Sequence, residues 1–122
     1  MKTMKYVLFI LSVILLAGLF SFKPINGQLL PTKLKITVID GLGNPAEGAT
    51  VALFEREEDY RKGENAVATA KTDEKGNAKF KGLKPISYFV YAYKGDMNNN
   101  GEGVKIAPLK EGRTNTVNTV IE

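Results

Sequence analysis

The chain has no cysteine, no histidine and no tryptophan among its 122 residues. Without thiolate or imidazole, zinc of the usual structural or hydrolytic kind has no ligand set, and Ser-His-Asp and Cys-His relays cannot be built. Without cysteine there is no disulfide, so packing and hydrogen bonds alone must hold the fold. An excess of one charge is also small. The full chain carries 17 basic and 13 acidic side chains, but Lys2, Lys5 and Lys23 lie in an N-terminal segment unlike the rest. Without residues 1–27 the balance is 14 to 13, with the signs mixed along the chain. That reads as a solvated surface, not a nucleic-acid-binding one. The length suits one domain and not two.

A single long apolar run is present. Lys2 and Lys5 precede Tyr6 to Phe20 (YVLFILSVILLAGLF), and the small residue Gly27 precedes Gln28. Basic start, short apolar centre and small residue describe a secretory signal peptide of residues 1–27, followed by a domain at 28–122. The run falls short of the roughly 20 residues that a membrane helix needs. A retained N-terminal anchor is the alternative, because Ile25 stands where a smaller residue is usual before cleavage. The expectation is export, periplasmic or extracellular, with no membrane span after cleavage.

Strand signals fill the remainder. Leu34, Ile36 and Val38 alternate with polar neighbours, and the turn cluster Asp40-Gly41-Leu42-Gly43-Asn44-Pro45 follows. Ala49 to Glu55 is a second strand. Arg56 to Asn65 (REEDYRKGEN) is a solvated loop or a helical turn. Ala66 to Thr72 is a weak strand of small residues, and Asp73 to Asn77 is a hairpin-type turn with Gly76 left-handed. Ala78 and Phe80 follow. Ile86 to Tyr93 (ISYFVYAY) is the strongest β-former, with Tyr88, Val90 and Ala92 on one face and Phe89, Tyr91 and Tyr93 on the other. Val104 and Ile106 mark a sixth strand. Thr114 to Ile121 closes the series, with Val117 and Ile121 inward. About seven short strands without a long amphipathic helix predict a two-layer antiparallel sandwich.

Three segments carry a resemblance. Val38 to Val51 (VIDGLGNPAEGATV), Thr72 to Phe80 (TDEKGNAKF) and Gly82 to Ala92 (GLKPISYFVYA) resemble carboxypeptidase regulatory-like domains in order and spacing. Ile86 departs from the glycine common there. The resemblance implies an all-β, seven-stranded, antiparallel prealbumin-like (Ig-like) Greek-key sandwich related to collagen-adhesin B-type domains. It implies a non-catalytic exported binding or structural domain without a cofactor. Tyr88 is expected to pack its ring and tie a corner with its hydroxyl. An intramolecular Lys–Asn isopeptide bond of the adhesin kind would need Lys35 beside Asn115 or Asn118, but Lys35 alternates outward.

Two surfaces are candidate sites. Asp96, Asn98 and Asn100 alternate before Gly101 like the start of an EF-hand loop, with Glu102 the other acid nearby. The bidentate acid expected at position 12 is absent, since Ala107 stands there. A mobile Asn/Gly-rich turn is the plainer reading, and a ligand-contacting loop including Asn98, Asn99 and Asn100 the third. The Phe89, Tyr91 and Tyr93 stripe is core or, if exposed, a platform on which Tyr91 and Tyr93 meet a sugar. Three roles remain open: a scaffold or binding domain, a carbohydrate-binding module, and an accessory subunit that joins an envelope protein by strand addition. An exposed Tyr91/Tyr93 patch favours the second, and an uncharged open edge strand the third.

Overall fold

The computed structural model describes residues 30–101 and 103–122, so the leader expected at residues 1–27 lies outside the described residues. Pro31–Glu122 forms one compact unit. Its elements are β1 (Lys33–Asp40), β2 (Thr50–Phe54), α1 (Glu57–Lys62), β3 (Ala68–Lys71), β4 (Asn77–Phe80), β5 (Phe89–Lys94), β6 (Met97–Asn98) and β7 (Thr114–Ile121). They build the expected two-layer β-sandwich: a three-stranded sheet in the order β4-β1-β7 faces a four-stranded sheet in the order β3-β2-β5-β6. No described helix is long and apolar enough to cross a membrane.

Period-two alternation fills the core. Leu34, Ile36 and Val38 of β1 meet Val51 and Leu53 of β2, Val90 and Ala92 of β5, and Ile121 of β7, all fully buried. The pairing is not antiparallel throughout. The β1–β7 ladder is parallel over eight residue pairs, Lys33 with Thr114 through Asp40 with Ile121. Alternation is the same for either strand direction, so this orientation is not written in the pattern.

The sixth strand also differs from expectation. Val104 to Leu109 lies beside β5 and the residues that lead into it, with an isolated bridge from Lys105 to Phe89, Val90 N–H donating to Val104 O, Ile106 N–H to Tyr88 O at 3.1 Å and Leu109 N–H to Ile86 O at 3.2 Å. Pro108 removes a donor there and regular pairing does not form. The regular sixth strand is Met97–Asn98, within the stretch read as a loop, and it pairs with Tyr93 and Lys94.

Two turns share the pattern Asp-x-x-Gly-Asn. The Asp40 carboxylate accepts from Leu42 and Asn44 N–H, both at 2.9 Å. That of Asp73 accepts from Lys75 N–H at 2.9 Å and Asn77 N–H at 3.0 Å. The second turn then presses on β1: Val38 N–H donates to Gly76 O at 2.7 Å and Ala46 N–H to Val38 O at 2.9 Å. Gly76 has φ +81°, and a Cβ there would lie 2.6 Å from Val38 O. The Thr72 hydroxyl, buried beneath, accepts from Ala49 N–H and donates to Ala46 O. Tyr88 is 1% exposed and its hydroxyl accepts from Lys84 N–H at 3.0 Å, the expected corner tie.

Gly76→Ala is expected to cost roughly 2–4 kcal/mol in urea unfolding, since it adds a backbone clash to left-handed strain. Gly43→Ala, at φ +88° with open space around it, should cost about 1 kcal/mol. Equal losses would remove the close-approach argument. Backbone donors from Asn77 and then Lys75, helped by the Lys79 and Lys75 charges, hold the Asp73 carboxyl below the usual range. A depressed carboxylate contributes stability above its unfolded pKa, and the contribution is lost as pH falls through the lower folded value. Acid titration of stability should therefore fall below about pH 4 and be flatter in Asp73→Asn.

Candidate functional site

The outer face of the four-stranded sheet carries the aromatic stripe. Phe89, Tyr91 and Tyr93 project from β5 opposite the core residues Tyr88, Val90 and Ala92. They are neither core nor bare. The charged run Arg56 to Asn65 folds as α1, with Glu57, Glu58 and Asp59 in its first turn, Arg61 and Lys62 in its last, and Gly63 left-handed (φ 69°) at its end. This order complements the helix dipole. Arg61 pairs with Glu57 at 2.7 Å, and Arg56 with Glu58 and Asp59. Tyr60, the one apolar residue of the run, lays its ring on the sheet, 6.0 Å from Phe54 and 6.2 Å from both Phe89 and Tyr91.

Tyr91 and Tyr93 stack at 5.1 Å, Tyr93 is 38% exposed, and Lys105 Nζ sits 5.7 Å from the Phe89 ring centre. Between α1 and the sheet lies a groove of about 440 Å³ lined by Tyr60, Arg61, Lys62, Gly63, Tyr91 and Asn100. Among the described residues, two cations and no acid line it. Burial, and then the neighbouring Tyr91, push the Tyr60 phenol above the usual tyrosine range. It therefore stays protonated at neutral pH, and its hydroxyl donates to Asn100 Oδ1 at 2.9 Å. Four groove residues, Tyr60 to Gly63, belong to the segment read as a solvated loop or helical turn. The signal that would have found them is the lone aromatic in a run otherwise charged or polar.

The Asp96–Gly101 stretch is built differently from a mobile turn. Gly95 and Asp96 form a tight turn between β5 and β6. Asn98 exchanges both backbone bonds with Glu122, at 3.0 and 3.1 Å, and so ties β6 to the end of β7. Asn99, read as a ligand contact, is 1% exposed. Its Oδ1 accepts from Ala92 N–H at 2.9 Å, and its Nδ2 donates to Val90 O at 3.0 Å and Thr119 Oγ1 at 3.2 Å. It is a clamp between the sheets, with no free group to offer. Asn98 Oδ1 accepts from Asn100 N–H at 2.9 Å, so it and Asn100 Oδ1 already serve internal bonds. Asp96 is exposed, Glu102 lies outside the described residues, and no cluster of three acids forms among the described residues. Among the described residues of the candidate loop, the two asparagine oxygens are thus spent on internal bonds and Asp96 is the one carboxylate.

The isopeptide geometry is likewise unmet. Lys35 stands opposite Thr116 on the outer side of β1, whereas the Asn115 amide is bound to Lys33 O, Lys110 O and Arg113 O. Asn118 is exposed.

No family model and no curated protein matches the chain. Among solved structures it is similar to the Bacillus anthracis TIE protein, with 26% identity and a TM-score of 0.53 over 76% of this chain. It is also similar to a streptococcal ancillary pilin, with 16% identity and a TM-score of 0.56 over 76% of this chain. The chain spans 17% and 32% of those molecules respectively. The likeness is one of β-sandwich fold.

Asn99→Ala should lower stability by roughly 2–4 kcal/mol, because it leaves Ala92 N–H and Val90 O buried without partners. Asp96→Ala should change it by less than about 0.5 kcal/mol. Calorimetry with calcium should give equal, negligible heats for wild type and Asp96→Ala; a saturable heat lost in the variant would restore the metal reading.

Proposed function

We propose that the protein is an exported, non-catalytic binding domain of the carboxypeptidase regulatory-like type, released from a leader of residues 1–27 and comprising residues 28–122. Its binding surface is the outer face of the four-stranded sheet. The observation that carries this reading is the Tyr60–Tyr91 groove, where aromatic rings meet two cations and an asparagine on a rigid sheet. The motif residues behind the family resemblance, Thr72, Asp73, Gly76 and Tyr88, serve the scaffold through the bonds described above and leave the groove as the variable part. The likeness to a streptococcal ancillary pilin supports a structural place among envelope proteins, periplasmic or extracellular. Having neither histidine nor cysteine, the chain lacks the side chain most used for acid–base catalysis and the thiol nucleophile.

Carbohydrate is the ligand class that the groove suits. Tyrosine rings offer flat apolar area with a polar tip, and Arg61, Lys62 and the Asn100 amide add donors for sugar hydroxyls or carboxylates. Tyr93 and Asn98 lie beside it on the open part of the same face. A glycan array should return binders, with acidic sugars among the strongest. Tyr91→Ala should weaken them roughly tenfold or more, and Lys62→Ala should selectively weaken the acidic ones. An array with no binder above background, or one on which Tyr91→Ala binds as wild type, overturns the carbohydrate reading.

A further inference from the structure

The edges of the two sheets are unequal. β3 and β4 are four residues each and carry Lys71 and Lys79, and β6 has two residues. β7 has eight residues, TNTVNTVI, without a charge, a proline or a glycine. Among the described residues it ends its sheet, with β1 on one side only. Natural sheets blunt such an edge with lysine, proline, bulges or shortness; among the described edges, β7 is the one that carries none of these.

The direction of its backbone groups is set at both ends. Arg113 O accepts from Lys33 N–H, so it points toward β1. Glu122 N–H and O point the other way, toward Asn98. Alternation along the strand then divides the residues between. Asn115, Val117, Thr119 and Ile121 turn their backbone groups to β1, while Thr114, Thr116, Asn118 and Val120 turn theirs away from it. Val120 faces the cleft it shares with Asn98, Asn100 and Gly101, which leaves Thr114, Thr116 and Asn118 on the open part of the edge. Gly103 comes up at Asn118 and Thr119, a Cβ there lying 3.0 Å from Thr119 Oγ1 and 3.9 Å from Asn118 O, so the open stretch ends at Asn118. The side chains of Thr114, Thr116 and Asn118 are exposed.

We infer that this edge pairs with the same edge of a second copy, antiparallel about a two-fold axis at Thr116. The open residues are symmetric about Thr116. Thr116 meets Thr116 of the second copy and Thr114 meets Asn118, each exchanging both backbone bonds as an antiparallel hydrogen-bonded pair does. A two-fold interface requires this self-complementarity. No charge along the strand opposes it, and the start of one strand (Lys110, Glu111, Arg113, net positive) comes beside the Glu122 end of the other. The two four-residue edges and β6 offer no comparable run. The inference is independent of the groove, which lies on the other sheet.

Because the chain has no cysteine, single introduced thiols report the register directly. Oxidised Thr116→Cys protein should form a covalent dimer with itself, since paired Cα atoms about 5.5 Å apart lie within disulfide reach. Thr114→Cys and Asn118→Cys should cross-link mainly when mixed. Sedimentation of the purified protein should show a reversible dimer that Thr116→Lys weakens roughly tenfold or more by placing like charges on the axis. Its melting temperature should stay close to wild type. A protein that stays monomeric up to about 1 mM overturns the inference. So does Thr116→Cys cross-linking no faster than an exposed Lys79→Cys control, or an edge occupied instead by a strand of a different envelope protein.

Discussion

The contact between Gly76 and Val38 is the constraint on which the rest of the fold depends. It brings two backbones to a separation that leaves no room for a Cβ, and it does so where a chain without cysteine has no covalent staple. Val38 serves both sides of the approach, donating to Gly76 and accepting from Ala46. The Thr72 hydroxyl joins the same segment from below. Together these bonds set where β1 stops pairing with β4 and where the chain turns toward β2. The inward phase of Leu34, Ile36 and Val38 follows from that register, because a one-residue slip would send all three to solvent.

A second tie, at Asn99, decides what kind of surface the domain presents. Its amide stands in for a strand backbone where β6 ends and reaches Thr119 in the opposite sheet. An amide used this way is satisfied at both ends and fixes the loop around it. The chain from Gly95 to Asn100 is consequently a braced hairpin, and Asn100 is held where it receives the Tyr60 hydroxyl. The groove beneath α1 is thus bounded on one side by a six-residue helix and on the other by this hairpin. A short helix has little stability of its own. Packing of Tyr60 against Phe54, Phe89 and Tyr91 holds α1 in place.

Much of this was legible in the residues, for reasons that differ from element to element. The strands from Lys33, Thr50 and Thr114 stand where the pattern put them, and the run read from Ile86 becomes regular strand only from Phe89. The Asp73 to Asn77 turn was legible because aspartate and glycine are used there for bonds that close within the turn itself. The Tyr88 corner likewise closes locally, on Lys84. The sixth strand was misplaced because Val104 and Ile106 carry the apolar signal, whereas Met97–Asn98 is held by pairing with Tyr93 and Lys94 and by Glu122 far along the chain. The asparagines looked like ligands since an amide has the same donors and acceptors whether it faces a metal, a sugar or a backbone.

By itself, then, the amino-acid sequence determined that the chain forms short strands of two-residue period and tight Asp/Gly turns, without thiol or imidazole chemistry. Those properties are local: each depends on a residue's own conformational range or on neighbours a few positions away. Only the tertiary structure decided that β1 and β7 run parallel, that Asn99 is a clamp, that Tyr60 roofs the aromatic stripe, and that β7 is left as a long uncharged edge. Each of these depends on which distant segment supplies the partner, and hydrophobic alternation is equally well satisfied by several such arrangements. Hydrogen-bond satisfaction across the two sheets selects among them.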